Sequence, residues 1–397
     1  MNHTTKIITL AAATLAAACL APAQQAPRTA AQQYKNIQVL KDAPATEFIQ
    51  SMRFLSTALG VECEFCHQGT RSVDTPNKIK ARQMMTMMAK INADNFGGAQ
   101  VVTCNTCHNG NHVPMNAPKP TGQYSTDGPQ VFYKPTAPPV GATDDVMYEA
   151  YKEHTEAEAK ARAAATPTVD QILAKYVTAL GGETAIRKVT SRVVTATVEA
   201  APNVRGAGPM VFTQQVQYSK APSVMATAIQ GFGGAATSRG FDGNETWTQA
   251  ANGNVAPVTG VDGARAKRDA DFYRALNMKQ EYTRLTLTGS DKVGSRDVWV
   301  VNGAVTGDNP DTLYFDKESG LLLRKGSYNT TPLGKYVINT DYEDYRDVAG
   351  VKLPFLIRTL SVSPADTLIV RVEKVESNAT IDAAKLAKPA PRQPAAR

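Results

Sequence analysis

Apolar positions follow a helical period in the first third of this chain and a period of two over its last half. From Asp42 to Gly60 they recur at three- and four-residue spacing, at Phe48, Ile49, Met52, Leu55 and Leu59. That spacing predicts one helix, started by Thr46 as cap and ended at Gly60. Thr75-Pro76 is an N-cap and first-turn pair for a second helix through Met84, Met85, Met87, Met88 and Ile91 to Asn92. A Pro-rich stretch without hydrophobic period follows, an extended linker over residues 114–143. Residues 144–165 predict a charged, Ala-rich helix, and Val169 to Gly182 an amphipathic one.

Beyond Gly182 the pattern alternates. Strands are predicted at Val193–Glu199, Val211–Tyr218, Val298–Val301, Thr312–Asp316, Leu321–Arg324, Tyr336–Tyr342, Leu356–Val362 and Thr367–Glu373. Turns such as Asp242-Gly243, Asn252-Gly253 and Glu318-Ser319-Gly320 join them as antiparallel hairpins, and one helix, Ala264–Leu276, interrupts. The fold class expected is α+β: a small, mostly helical module followed by an antiparallel β-rich domain.

Length and composition refine this outline. At 397 residues the chain exceeds what one core fills, roughly 250 residues, so two domains are expected. Residues 1–23 read as a secretory signal: Lys6, an Ala-rich apolar run, then Ala21-Pro22-Ala23. That run is too short to span a bilayer comfortably, and export to the periplasm is the expectation. A second reading makes Cys19 the lipid-bearing residue of a lipobox. The divisions are then residues 24–113, the linker at 114–143, the helix pair and β domain at 144–381, and a basic Pro/Ala tail at 382–397 expected to be disordered. The net charge of +7 is scattered, without the clustered Lys, Arg and aromatic residues of a nucleic-acid surface. A mildly basic solvated surface is the plainer reading, and a preference for acidic partner proteins the sharper one.

Chemistry concentrates in the cysteines. Of five, all but Cys19 lie in two C-x-x-C-H pentapeptides, Cys63-Glu64-Phe65-Cys66-His67 and Cys104-Asn105-Thr106-Cys107-His108. This is the attachment pattern of c-type haem: two thiols one helical turn apart form thioethers to the vinyl groups, and the adjoining His lies under the iron. A redox pair needs no following His and is not duplicated, and a zinc site separates its Cys and His pairs. Each iron then needs a second axial ligand or a vacancy, which decides between electron transfer and catalysis. Met52 lies 15 residues before His67, across one helix-turn-helix. Four of eleven methionines crowd into residues 84–88; three read as plastic core filler and one as a ligand. His112 reads as a loop residue near a haem edge, and His154 as solvated.

A Met-bearing helix ahead of its own C-x-x-C-H, repeated in tandem, resembles the cytochrome c subunit of photosynthetic reaction centres. The resemblance covers roughly residues 36–113: Met52 before Cys63–His67, and the Met-x-x-Met-x-x-x-x-Asn pattern at Met84, Met87 and Asn92 before Cys104–His108. It implies Met52 as ligand at the first haem and Met84 at the second, with Met87 as alternate. The family's subunit carries four haems, whereas this chain has cysteines for two and continues into a domain that subunit lacks. That continuation, with Leu180-Gly181-Gly182, Gly240-Phe241-Asp242-Gly243 and Asp341–Pro354, resembles the half-barrel of lipoprotein carriers of the LolA and LolB type. Such a sheet would enclose an apolar groove for an acyl chain or a partner peptide; a filled structural core is the alternative.

The function expected is therefore periplasmic electron transfer between donor and acceptor proteins through two covalently attached, His/Met-ligated haem c groups with their iron. Two alternatives stay open. One is a dihaem peroxidase-like enzyme, against which the Met-rich helix speaks, and the other a lipid- or lipoprotein-binding protein with an accessory haem module. Residues 155–397 hold neither His nor Cys, so no catalytic site is expected there.

Overall fold

The structure is a computed structural model describing residues 28–114, 166–200, 213–230, 236–362 and 367–390. The expected signal with Cys19, the linker beyond residue 114, and the helix at 144–165 with His154 lie outside the described residues.

The N-terminal module holds α1 (Ala30–Gln33), α2 (Ala45–Leu59), α3 (Pro76–Phe96) and α4 (Cys104–His108). Thr75 caps α3, its hydroxyl accepting from Lys78 N at 3.2 Å, and Gly97 ends the helix at φ 59°. Gly60 ends α2 as expected, at φ 66°, but Thr46 does not start it. The N-cap is Pro44, without a side-chain bond. Backbone pairing with the preceding segment fixes that start, Ala45 N donating to Arg28 O at 2.8 Å and Ala30 N to Ala43 O at 2.7 Å.

After α5 (Val169–Ala179) and α6 (Glu183–Lys188), the chain forms β1 (Ser191–Ala200), β2 (Thr213–Lys220), β3 (Val224–Gln230), β4 (Ala236–Phe241), β5 (Thr246–Gln249) and β6 (Val255–Pro257). Helices α7 (Gly260–Asp269) and α8 (Arg274–Glu281) lead to β7 (Arg284–Val293), β8 (Arg296–Ala304), β9 (Asp311–Asp316), β10 (Leu322–Thr331), β11 (Gly334–Val348), β12 (Val351–Leu360) and β13 (Leu368–Ser377). All thirteen join one open antiparallel sheet in the order β6-β5-β4-β3-β2-β1-β13-β12-β11-β10-β9-β8-β7. Two meanders therefore meet where β1 pairs with β13, and the β6 to β7 connection returns from one sheet edge to the other through α7 and α8. This order agrees with the half-barrel expectation.

The expected single helix at 264–276 is two. Phe272 N donates to Pro222 O at 3.0 Å and Asp271 Oδ1 accepts from Tyr273 N at 2.9 Å, which draws the chain out of helical pairing between α7 and α8. The expected tail disorder is also corrected in part. Ala383–Lys385 form a 3-10 turn, Leu386 is buried, and Lys388 pairs with Glu245 at 2.7 Å.

The main core lies between α5, α6, α8 and the β8–β12 side of the sheet, around Leu173, Tyr176, Val301, Leu313 and Phe315. Truncating a fully buried Phe removes its transfer free energy and leaves a cavity. Phe315→Ala is expected to cost about 3–5 kcal/mol, read as a lower urea midpoint followed by Trp247 and Trp299 fluorescence. Asp316, buried at the β9–β10 turn, supplies a pH dependence. Burial acts to raise its carboxyl, but hydrogen bonds from the Ser319 hydroxyl and amide and from Arg296 outweigh it and hold it below the usual range. A carboxyl depressed on folding stabilises fully above the unfolded value, about pH 4, and that stabilisation is lost as pH falls through the lower folded value. The sheet's melting temperature is expected to drop below about pH 4, less steeply in Asp316→Asn.

Candidate functional site

The first pentapeptide sits in a 3-10 turn, Cys63–Phe65, where His67 N donates to Cys63 O at 3.0 Å. The start of α3 grips this loop: Thr75 Oγ1 donates to Cys66 O at 2.8 Å and Asn77 Nδ2 to Phe65 O at 2.9 Å. Asn36 Nδ2 reaches Ser72 O at 2.7 Å, and Arg82 pairs with Asp74 at 2.9 Å. The hydrogen bond from Arg82 holds the exposed Asp74 carboxyl below its usual range.

The second pentapeptide is α4 itself. Thr103 and Thr106 form its capping box, and Asn109 ends it in the left-handed region at φ 45°. Asn92, which the sequence marks only as the last residue of a motif, is buried and bonds both polar groups of one peptide unit's residue. Its Nδ2 donates to Val102 O at 2.7 Å and its Oδ1 accepts from Val102 N at 2.9 Å. This tethers the last turns of α3 to the segment leading into Cys104.

The segment before the first pentapeptide meets the segment after the second. Gly110 N donates to Ala58 O at 2.9 Å, and a Cβ on Gly60 would lie 2.0 Å from Gly110 O. Only glycine, with its free φ and missing Cβ, permits the approach. His112 lies with its ring 5.6 Å from that of Phe65, between the cysteines of the first motif.

All four described cysteines are free thiols. Burial pushes the Cys66 thiol up, with Cys63 adding to the rise, and burial likewise raises Cys104. A thioredoxin-like pair needs the opposite, a lowered nucleophile. Burial, followed by the charges of Lys78 and Arg71, lowers His67 and keeps its imidazole neutral, the form that ligates metal. His67 Nδ1 is buried without a hydrogen-bond partner, while His108 Nδ1 lies 2.8 Å from Asn111 O. That second contact leaves Nε2 available to a ligand, with the carbonyl orienting the ring. Among the described residues no three His, Cys, Asp or Glu converge as a metal-ion cluster.

The methionines divide by face. On α2 the buried stripe is Ser51, Phe54, Leu55 and Ala58, whereas the pattern had pointed to Phe48, Ile49, Met52, Leu55 and Leu59. The β10–β11 turn covers the first stripe; Ile49 is exposed, and Met52 is half-buried about a third of a turn away. On α3, Met85 and Met88 are core. Met84 is half-buried and Met87 is 47 % exposed, so two of the four are core rather than three.

Seven of the ten exposed large apolar side chains among the described residues lie in this small module, Ile79, Met87, Phe96 and Val101 among them. Singly exposed apolar residues are ordinary, but such a concentration marks surface awaiting an apolar partner. Unpaired thiol pairs, two histidines each with an uncommitted ring nitrogen, and exposed apolar side chains in the same module fit a covalently attached porphyrin.

A second feature lies in the sheet domain. A cavity of about 220 Å³ opens between α5, α6, α8 and the sheet, lined by Tyr176, Arg192, Phe272, Met278, Tyr342 and Leu353 among others. Arg192 Nε is buried there without a hydrogen-bond partner, and burial brings its guanidinium down to about 10. Burial pushes the Tyr342 hydroxyl up to about 12.

The N-terminal part of the chain is similar to c-type cytochromes. Residues 1–130 match the family described as photosynthetic reaction centre cytochrome C subunit. Over 96 residues the chain is 36 % identical to the photosynthetic reaction center cytochrome c subunit of Thermochromatium tepidum, 22 % of this chain and 23 % of that protein. Over 128 residues it is 33 % identical to cytochrome c-554 of Chloroflexus aurantiacus, 29 % of this chain and 28 % of that one. The chain thus spans about a quarter of the length of these relatives. The family implies covalently bound haem c. Among solved structures, a LolA superfamily protein from Nitrosomonas europaea covers 56 % of this chain and 99 % of its own, at 14 % identity and TM-score 0.41.

Asn92→Ala would leave the Val102 amide and carbonyl without their partner, at a cost of about 1–3 kcal/mol. If Cys104 and Cys107 hold haem as the sequence pattern implies, the expected result is a larger fraction of matured protein without haem on that pair, counted by intact mass against wild type.

Proposed function

We propose that this chain is an exported dihaem c-type cytochrome that carries electrons between a donor and an acceptor protein. The observation that carries this reading is that two C-x-x-C-H segments share one small module, where Gly60, three residues before Cys63, meets Gly110, two residues after His108, and the Phe65 ring faces that of His112. Cys63 and Cys66 would hold one haem and Cys104 and Cys107 the other, with His67 and His108 as proximal ligands. Met52 would supply the sixth ligand at the first site and Met84 at the second, with Met87 as alternate. When bound, haem c supplies a one-electron iron couple whose potential a thioether ligand raises relative to bis-His ligation. The chain's own residues attach the group, orient the two imidazoles and close the sixth position, which suits outer-sphere transfer over peroxide chemistry.

No described helix is long and apolar enough to cross a membrane. Association with a membrane complex is proposed only by likeness to the reaction-centre relatives, with the signal at residues 1–23 or a lipid on Cys19 bringing the protein to that surface.

The cavity with Arg192 favours a second role for the sheet domain, binding an acyl chain or a lipoprotein segment. This adds to the carrier reading without replacing it.

The test is absorption and magnetic circular dichroism of the matured holoprotein, wild type against Met52→Ala, Met84→Ala and Met87→Ala. Two low-spin His/Met irons are expected, one lost with Met52 and one with Met84 or Met87. A high-spin, peroxide-reactive iron in the wild type would sink the carrier.

A further inference from the structure

The turn from β10 to β11 enters the N-terminal module. Leu333, 1 % exposed, packs with Phe54 and Leu55 of α2 and with Met85 and Met88 of α3. Gly334, at φ 149°, lies against the Phe54 ring; a Cβ there would come 2.7 Å from Phe54 Cζ. Tyr336 OH donates to Gln50 Oε1 at 2.7 Å and accepts from Asn329 Nδ2 at 2.8 Å. From the α3 side, Gln100 Nε2 donates to Pro332 O at 2.5 Å. The turn is braced internally, Thr331 Oγ1 donating to Gly334 O at 2.8 Å and accepting from Leu333 N at 3.2 Å.

These contacts fix how far each helix is rotated about its own axis. One residue is about 100° of helix. With Phe54 and Leu55 held on the turn, half-buried Met52 packs against the edge of the same cluster and lies on the adjacent face. With Met85 and Met88 held there, Met84 and Met87 take the corresponding face of α3.

We infer that the 331–334 turn of the sheet domain is a positioning wedge for both methionine-bearing helices, setting the rotation that presents their thioethers. Leu333, Gly334 and Tyr336 are positioning residues, acting through α2 and α3. This rests on the proposed Met ligation, and makes the sheet domain part of the scaffold that sets each iron's sixth ligand.

The experiment uses the full-length matured holoprotein with Gly334→Val, Leu333→Ala and Tyr336→Phe, plus Val337→Asp as control. Val337 is 40 % exposed and, one residue on from Tyr336, points to the opposite face of β11. Three readouts are compared: the near-infrared magnetic circular dichroism signature of methionine-ligated ferric haem, the midpoint potentials, and tryptophan fluorescence. Both tryptophans, Trp247 and Trp299, lie in the sheet, so fluorescence reports that domain separately.

Gly334→Val and Leu333→Ala are expected to lose part or all of the methionine signature and to shift a haem potential downward, with sheet fluorescence and Val337→Asp unchanged. Tyr336→Phe keeps the packing and should give a smaller shift of the same sign. Wild-type ligation and potentials in both Gly334→Val and Leu333→Ala overturn the wedge, as does an equal loss in Val337→Asp. A wild type without the signature overturns the ligation reading first, and the wedge with it.

Discussion

The pairing of β1 with β13 is the constraint on which the sheet depends. Each is an end strand of its own meander, and without their ladder the two meanders would be separate sheets with four edges to protect. The contact closes over a separation of nearly two hundred residues, so its loop-closure entropy must be met by many neighbours at once. It is met by a continuous register from Arg192 opposite Ser377 to Ala200 opposite Leu368, interrupted by one irregularity at Thr195/Ala196. The return from β6 to β7 then brings α8 onto the side of the sheet that α5 and α6 cover, and the principal core forms there.

The helical module has no comparable core of its own. Its buried cluster is completed by Leu333 and Tyr336 from the sheet, and much of its remaining apolar surface is exposed. Small domains bury too little surface to be stable unaided and commonly recruit metals, cross-links or neighbours. This module draws on a neighbouring hairpin on one side, and on the proposed reading the other side belongs to covalently held porphyrin. Each methionine-bearing helix is consequently apolar on two faces, which explains why its hydrophobic period alone could not tell the protein-facing stripe from the other.

Much of the fold and site was legible in order of how local its causes are. The Thr75-Pro76 start and Gly97 end of α3, the Gly60 end of α2 and the turns at Asp242-Gly243 and Glu318–Gly320 rest on residue chemistry within a few positions. Eight strands carried enough alternation to be read. Strands β3 to β6 did not, because residues such as Thr237, Ser238 and Thr248 put polar groups where a period-two signal needs contrast. Strand β7 did carry one, in Leu285 and Leu287 between threonines, and could have been found. The break between α7 and α8 was illegible, since it comes from Phe272 bonding to Pro222, fifty residues earlier.

By itself the sequence determined the chemistry: two C-x-x-C-H pentapeptides, a methionine ahead of each, and a switch of period from helix to strand. Those are properties of adjacent residues, and no packing alters which atoms the side chains carry. Only the tertiary structure decided that Gly60 and Gly110 touch, that Asn92 holds Val102, and that a hairpin from the far domain chooses which face of α2 is buried. Each of these depends on surfaces distant in the chain meeting with fitting shape and hydrogen bonds, and that information is held in no single stretch of residues.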